Sequence, residues 1–227
     1  MDWTTHDLGR GMIAESVVVG FADANCYLFG CEETRAGVVI DPGTMERDEN
    51  DEIVTRVGEL GLSVAAILNT HGHPDHMSGN DVLREAFGCD VVIHELDGLK
   101  LTDADRNGSR LFGFDIRVAP ADRLVVEGDT IDIGRITLKV VHTPGHSSGG
   151  VAFAGDGVVF TGDTLFAGGV GRSDLPCSSE GGTLAWDVLM SSIREKLLTL
   201  PDETIVLPGH GPATTIAAEK AGNPFLR

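Results

Sequence analysis

Four short apolar runs in this chain each break off onto a residue able to bind a metal. AAILN leads into Thr70-His71, ITLKVV into His142-Thr143-Pro144-Gly145-His146, GVVF into Thr161-Gly162-Asp163, and TIVL into Pro208-Gly209-His210. Runs of this length bounded by turn residues are strands, and side chains delivered from strand ends share one rim of a layered sheet structure, rigidly held yet open to solvent. The repeated transition calls for sheets with helices outside them and excludes a helical bundle.

The same alternation continues along the chain. Strands are expected near Glu15 to Val19, Asn25 to Phe29, Ala36 to Ile40, Val64 to Asn69, Val91 to His94, Arg123 to Val126, Thr130 to Ile133, Ile136 to Val141, Val151 to Ala154, Gly157 to Thr161 and Thr204 to Leu207. Helices fit Glu46 to Leu60, Asn80 to Phe87, Gly182 to Leu200 and Thr214 to Ala221. Residues 99 to 122 have no clean period and carry turn residues, so a loop excursion over one face is expected, of the kind that forms lids or substrate walls.

With 227 residues, 41% of them apolar, the chain suits one α/β domain spanning 1–227. A net charge of −18, from 35 acidic against 17 basic residues, repels nucleic acid and anionic membrane. The first residues lack the basic segment and apolar run of a signal peptide, and no stretch approaches the ~18 apolar residues of a membrane span. The expectation is a soluble cytoplasmic protein whose partner is a small molecule; the sequence does not specify an oligomeric state. Cys26, Cys31, Cys89 and Cys177 form no C-x-x-C unit and read as thiols of the core, with Cys177 beside a candidate active-site loop. Cys26 and Cys31, five apart in one strand, point to opposite faces.

The densest signal is NTHGHPDHMSGN, residues 69–80, with three histidines and an aspartate inside His71 to His76. A buried imidazole or carboxylate needs a partner, and no economical packing explains four such groups in six positions. His71 and His73 project to one side of an extended loop; Asp75 and His76 follow the turn at Pro74 and face a second point. Adding His146 to the first pair gives a three-histidine site, adding His210 to the second gives another three-ligand site, and Asp163 has two oxygens with which to bridge them. Two divalent ions per chain are expected, zinc foremost, with iron or manganese as alternatives. His6 reads as a surface group, His94 and His142 as strand-end residues, and Asp41 as a hydrogen-bonding support for the histidine loop.

In His71-Gly72-His73-Pro74-Asp75-His76, followed by Thr143 to His146, Gly162 to Thr164 and Gly209-His210, the chain resembles the metallo-β-lactamase-fold hydrolases. The resemblance covers nearly the whole chain and implies a four-layer αβ/βα sandwich. GDTLFAGGVGRSD (162–174) and GHGPATTIAAEKAGNPFL (209–226) look like the short-chain branch related to glyoxalase II, the hydroxyacylglutathione hydrolases. That implies a metal-dependent thioester hydrolase acting on an S-2-hydroxyacyl thiol, such as an S-lactoyl thiol, through a metal-bridging hydroxide. Persulfide dioxygenases with one iron, and lactonases or other ester hydrolases, are the alternatives on the same fold.

Asp75 and Arg172 are the expected catalytic side chains, Asp75 as a proton carrier and Arg172 as a clamp for a substrate carboxylate. Glyoxalase II adds a C-terminal helical region, whereas only 17 residues follow His210 here. Its G-K-F-Y segment, which serves the carboxylate of the thiol, is Gly171-Arg172-Ser173-Asp174 in this chain, and Asp174 would repel such a carboxylate. Gly168, Gly169 and Gly171 read as a tight loop requiring positive φ.

Overall fold

The computed structural model describes residues 1–177 and 184–227. Its mixed α/β architecture has two large sheets, as the metallo-β-lactamase fold requires. The first sheet runs in chain order through seven strands, β1 (Thr4–Thr5), β2 (Met12–Val19), β3 (Ala24–Cys31), β4 (Ala36–Ile40), β5 (Ser63–Leu68), β6 (Asp90–His94) and β7 (Arg123–Val125). It is antiparallel up to β4 and parallel from β4 to β7. The second sheet contains β8 (Thr130–Ile133), β9 (Ile136–His142), β10 (Val151–Gly155), β11 (Val158–Gly162), β14 (Ile205–Pro208) and β15 (Thr214–Thr215), in the order β15-β14-β11-β10-β9-β8. A small ribbon of β12 (Leu165–Phe166) and β13 (Gly169–Val170) stands apart.

Strand alternation sorts the core into three apolar layers. Phe29, Ile40 and Leu68 of the first sheet meet Leu138, Phe153, Phe160 and Leu207 of the second in the central layer. The opposite face of the first sheet, with Leu28, Val39 and Ile67, packs on Ile53 and Val57 of helix α1 (Arg47–Leu60) and Leu83 of α3 (Asn80–Phe87). Ala152, Val159 and Val206 on the outside of the second sheet pack on Leu189 of α4 (Leu184–Ser192) and Ile216 of α5 (Ile216–Gly222). The period-2 pattern of β3 explains how one fully buried strand serves two layers: Tyr27, Phe29 and Cys31 face the central layer, Cys26 and Leu28 the helices. Helix α1 begins where Glu49 reaches back to the Glu46 N–H at 3.0 Å and ends at Gly61 in the left-handed region, φ 64°.

Four sequence expectations change. The long helix expected from Gly182 is α-helical over Leu184–Ser192 and continues as a π-helical turn, Ile193–Leu197, while 182–183 lie outside the described residues. Thr214 and Thr215 pair with β14 before the last helix starts, because Thr215 is its N-cap and accepts the Ala218 N–H. The excursion over 99–122 contains two 3₁₀ turns, Gly98–Thr102 and Ser109–Phe112, held by Asn107 and Ser109 hydrogen bonds to the surrounding backbone. His6 is half-buried, bonded to the Ser16 hydroxyl at 2.8 Å, because β1 folds back along β2.

Candidate metal centre

The C-terminal ends of β4, β5, β9, β11 and β14 meet on one rim. His71 follows β5, and the short helix α2 (Pro74–Met77) then brings Asp75 and His76 to the cluster, the His76 ring 4.2 Å from that of His71; Pro74 at its first position fixes the turn. His146 is delivered by the loop after β9, Asp163 by the end of β11, and His210 by the end of β14. Their ligand atoms fall into three overlapping groups: His71, His73 and His146; His71, His76 and Asp163; Asp75, His76 and His210, each within 4.8 Å.

Asp163 joins the groups. One oxygen lies 3.4 Å from His76 Nε2, the other 3.5 Å from His146 Nε2 and 3.4 Å from His210 Nε2. Asp75 Oδ2 stands 3.4 Å from His210 Nε2 and 3.6 Å from His76 Nε2. These separations exceed a direct hydrogen bond yet match ligands turned toward a shared centre. His71 Nε2, His73 Nε2, His76 Nε2 and Asp163 Oδ1 are buried without any hydrogen-bond partner, in a protein where such groups are ordinarily satisfied. Four orphans clustered on one rim, all nitrogen or oxygen donors, fit divalent cations.

Charge regulation divides the cluster. Burial, reinforced by the neighbouring His76, His73 and His146, holds His71 well below the usual histidine range; burial and His146 lower His73 to about 3, and burial also lowers His146. Those three imidazoles are therefore neutral, and His146 Nε2 and His73 Nδ1 approach to 2.9 Å, a contact that a shared ion would replace. At His76 and His210 burial acts in the same downward direction, but Asp163 and Asp75 overcome it, raising His76 well above its ordinary value and His210 to about 10. The carboxylate end of the cluster demands positive charge, which protons or metal can supply.

A second ring of bonds aims the ligands. Asp41, at φ 53° and buried, accepts the Thr70 N–H at 2.7 Å and the Thr70 hydroxyl at 2.6 Å, and pairs with His76 Nδ1 at 3.0 Å. The Arg172 carbonyl accepts from His146 Nδ1 at 2.6 Å, which leaves Nε2 for the centre. Asn25 and Tyr27 of the first sheet donate to the Pro208 carbonyl at 2.9 and 2.6 Å, and Asn25 also donates to that of Gly211, so the His210 turn of the second sheet is tied to β3. A Cβ at Gly209 would stand 2.2 Å from Asp163 Oδ1 and 2.8 Å from His76 Cε1; only glycine fits between the ligands.

Sequence reading missed Asn25, Tyr27, Asp97 and Lys100. Asp97 accepts the N–H groups of Gly72 at 2.8 Å and Gly149 at 2.7 Å, and the Ser147 hydroxyl. Lys100 Nζ lies 3.3 Å from Asp97 and donates to Ser147 Oγ and, at 3.0 Å, to the Cys177 carbonyl. Of the loop glycines only Gly168 takes positive φ; Gly171 is required for a different reason, since its Cβ would lie 1.8 Å from the Asp163 carbonyl oxygen. The Arg172 side chain is 66% exposed and bonded to Asp174.

The model of the metallo-beta-lactamase superfamily matches residues 19–210. The chain belongs to this superfamily. Among its relatives are the probable metallo-hydrolase YqgX of Bacillus subtilis, 38% identical over 92% of this chain and 94% of its own length, and the hydroxyacylglutathione hydrolase GloC of Haemophilus influenzae, 35% identical over 95% and 98%. The crystal structure of the BLEG-1 B3 metallo-beta-lactamase superposes with a TM-score of 0.85 at 37% identity, covering 94% of this chain and 99% of that one. That of TTHA1623 in a di-iron-bound form gives 0.76 at 37% identity, covering 93% and 99%. As a superfamily member with these His/Asp groups the protein is a metallo-hydrolase suited to divalent metal. No helix among the described residues is long and apolar enough to cross a membrane.

Proposed function

We propose that His71, His73 and His146 hold one divalent ion, that Asp75, His76 and His210 hold a second, that Asp163 bridges them, and that the protein hydrolyses a thioester of the S-2-hydroxyacyl (S-lactoyl) class. The observation that carries this reading is the position of Asp163, whose two oxygens reach ligand atoms of both groups; the GloC relative supports the substrate class. Bound divalent metal supplies an acidified water and positive charge for a developing oxyanion.

The protein's own side chains do the rest. Asp41 and the Arg172 carbonyl fix the ring orientations of His76 and His146. Asp75, on the wall of the cavity above the cluster, carries the proton taken from water. In the net reaction a C–O bond forms to the acyl carbon, the C–S bond breaks, and a carboxylic acid and a thiol leave. A thiol with an ordinary pKa near 8.5 departs as thiolate with little acid assistance, so no further proton donor is required. An amide nitrogen would need one.

BLEG-1 favours β-lactam hydrolysis as a second reading. Metal quantitation combined with a panel of S-lactoyl thioesters and a chromogenic β-lactam, under oxygen monitoring, decides. The expected result is about two ions per chain, as in two-metal sites, with thioester turnover and no oxygen uptake. One iron with persulfide-dependent oxygen uptake, or a preference for the β-lactam, overturns it. His73→Ala is expected to remove most activity while keeping the fold.

A further inference from the structure

Above the cluster lies a cavity of about 290 Å³ whose walls are mainly apolar. Phe21, from the turn between β2 and β3, packs against Phe112 and Phe114 of the 99–122 excursion, with ring centroids 5.8 and 5.0 Å apart. Phe166 and Leu175 complete the apolar side. Phe21 and Phe112 remain 37% and 53% exposed, so aromatic surface stands uncovered beside the reacting groups.

Cationic residues are scarce there. Arg172 is the one lysine or arginine lining the cavity among the described residues, and its guanidinium is engaged in a fork with Asp174, Nε to Oδ1 at 2.9 Å and Nη2 to Oδ2 at 3.0 Å. Lys100 lies buried behind the wall, its ammonium held by Asp97, Ser147 and the Cys177 carbonyl. Residues 178–183, SSEGGT, contain no lysine or arginine. A carboxylate entering this cavity would have to displace Asp174 and then face its charge.

We propose that the pocket selects thioesters whose thiol portion is uncharged and apolar, seated on the Phe21–Phe112 wall, and that Asp174 withholds Arg172 from carboxylate-bearing thiols such as glutathione. The proposal rests on the thioester reading above. It makes Asp174 a specificity-determining residue that leaves the chemistry itself alone.

The test compares two S-lactoyl esters on the metal-loaded protein, one of glutathione and one of benzyl mercaptan, and in parallel measures calorimetric binding of the unreactive sulfides S-methylglutathione and benzyl methyl sulfide. The benzyl ester is expected to show a kcat/KM at least about tenfold higher, expressed in KM, and benzyl methyl sulfide to bind more tightly. Phe112→Ala should erase most of that preference. Asp174→Asn should raise kcat/KM for the glutathione ester several-fold and leave the benzyl ester within twofold. Equal or better use of the glutathione ester by the unaltered protein, tighter binding of S-methylglutathione, or an Asp174→Asn variant without gain overturns the proposal. Failure to cleave either ester, with the binding preference intact, would instead refute thioester hydrolysis and leave the apolar seat standing.

Discussion

The Asp97 carboxylate accepts the Gly72 N–H at 2.8 Å, in the middle of the loop that carries His71 and His73. The same carboxylate holds the Ser147 hydroxyl and the Gly149 N–H beyond His146. One buried side chain thus sets the distance between the two loops that supply the three-histidine group. Burial alone would raise its pKa, but the Lys100 charge, the Ser147 hydroxyl and the Gly72 N–H outweigh that and keep it below the ordinary carboxylate value. Asp97→Asn keeps the size and removes the charge, leaving Lys100 without its anion. Metal affinity, measured by competition with a chromophoric chelator, is expected to fall about 10- to 100-fold, the usual cost of losing a partner that orients ligands. Unchanged affinity would show that the loops hold their spacing without it.

Why Asp97 was invisible in the sequence follows from what a sequence can encode locally. His71 to His76 announces itself because four donor side chains crowd one loop, and His146, Asp163 and His210 because each interrupts an apolar strand. Asp97 is one of 35 acidic residues and sits three positions beyond β6 in an unremarked turn; its partners come from Gly72 and Ser147, 25 and 50 residues away. Asn25 and Tyr27 are hidden likewise, as polar positions in a strand whose importance depends on the second sheet closing over it. The layers were legible because period-2 burial is local; the clamps between layers were not. Arg172 lies between these cases, since Asp174 was visible as a repelling charge while its fork with Arg172 required coordinates.

Removing metal should cost stability as well as activity. With chelator present, His71, His73 and His76 Nε2 and Asp163 Oδ1 return to their unpartnered state. A ligand at a thousandfold excess over its Kd stabilises the folded chain by about 4 kcal/mol, which a protein of this size registers as roughly 10 °C in Tm. Scanning calorimetry with and without a chelator checks this, and an unchanged Tm would argue against a filled centre.

Asn25 offers a way to loosen one ion selectively. Its amide donates to the Pro208 and Gly211 carbonyls on either side of His210, and the Asn25 N–H donates to the Gly209 carbonyl at 2.7 Å. Asn25→Ala leaves the Gly211 carbonyl without its side-chain donor and the Pro208 carbonyl with Tyr27 alone, at a cost of about 1–3 kcal/mol where the Gly211 oxygen stays dry. The His210 turn should then wander, while His71, His73 and His146 keep their supports. Metal titration is expected to show one ion bound as before and the other weakened; equal weakening of both would mean that Asn25 acts through the fold as a whole.

Stability should also fall in mild acid through His94, which belongs to none of the metal-binding groups. The rings of His94 and His142 stack 4.2 Å apart, nearly parallel at 9°. His94 is buried, and its Nδ1 accepts the Leu96 N–H, a bond that protonation there would break. Burial first, and the adjacent His142 second, lower its pKa from the usual 6.5. Below about pH 6.5 the unfolded chain therefore takes up this proton before the folded one does, so the contribution of neutral His94, complete above that pH, is lost as pH falls toward the folded value. His94→Asn keeps an acceptor for Leu96 and removes the titration. Between pH 6.5 and 5 the urea midpoint of the unaltered protein should decline more steeply than that of the variant, by at most one proton or ~1.4 kcal/mol per pH unit. Metal ligands titrate equally in both proteins, so the difference in slope isolates His94; parallel curves would exclude it as an acid-sensitive element.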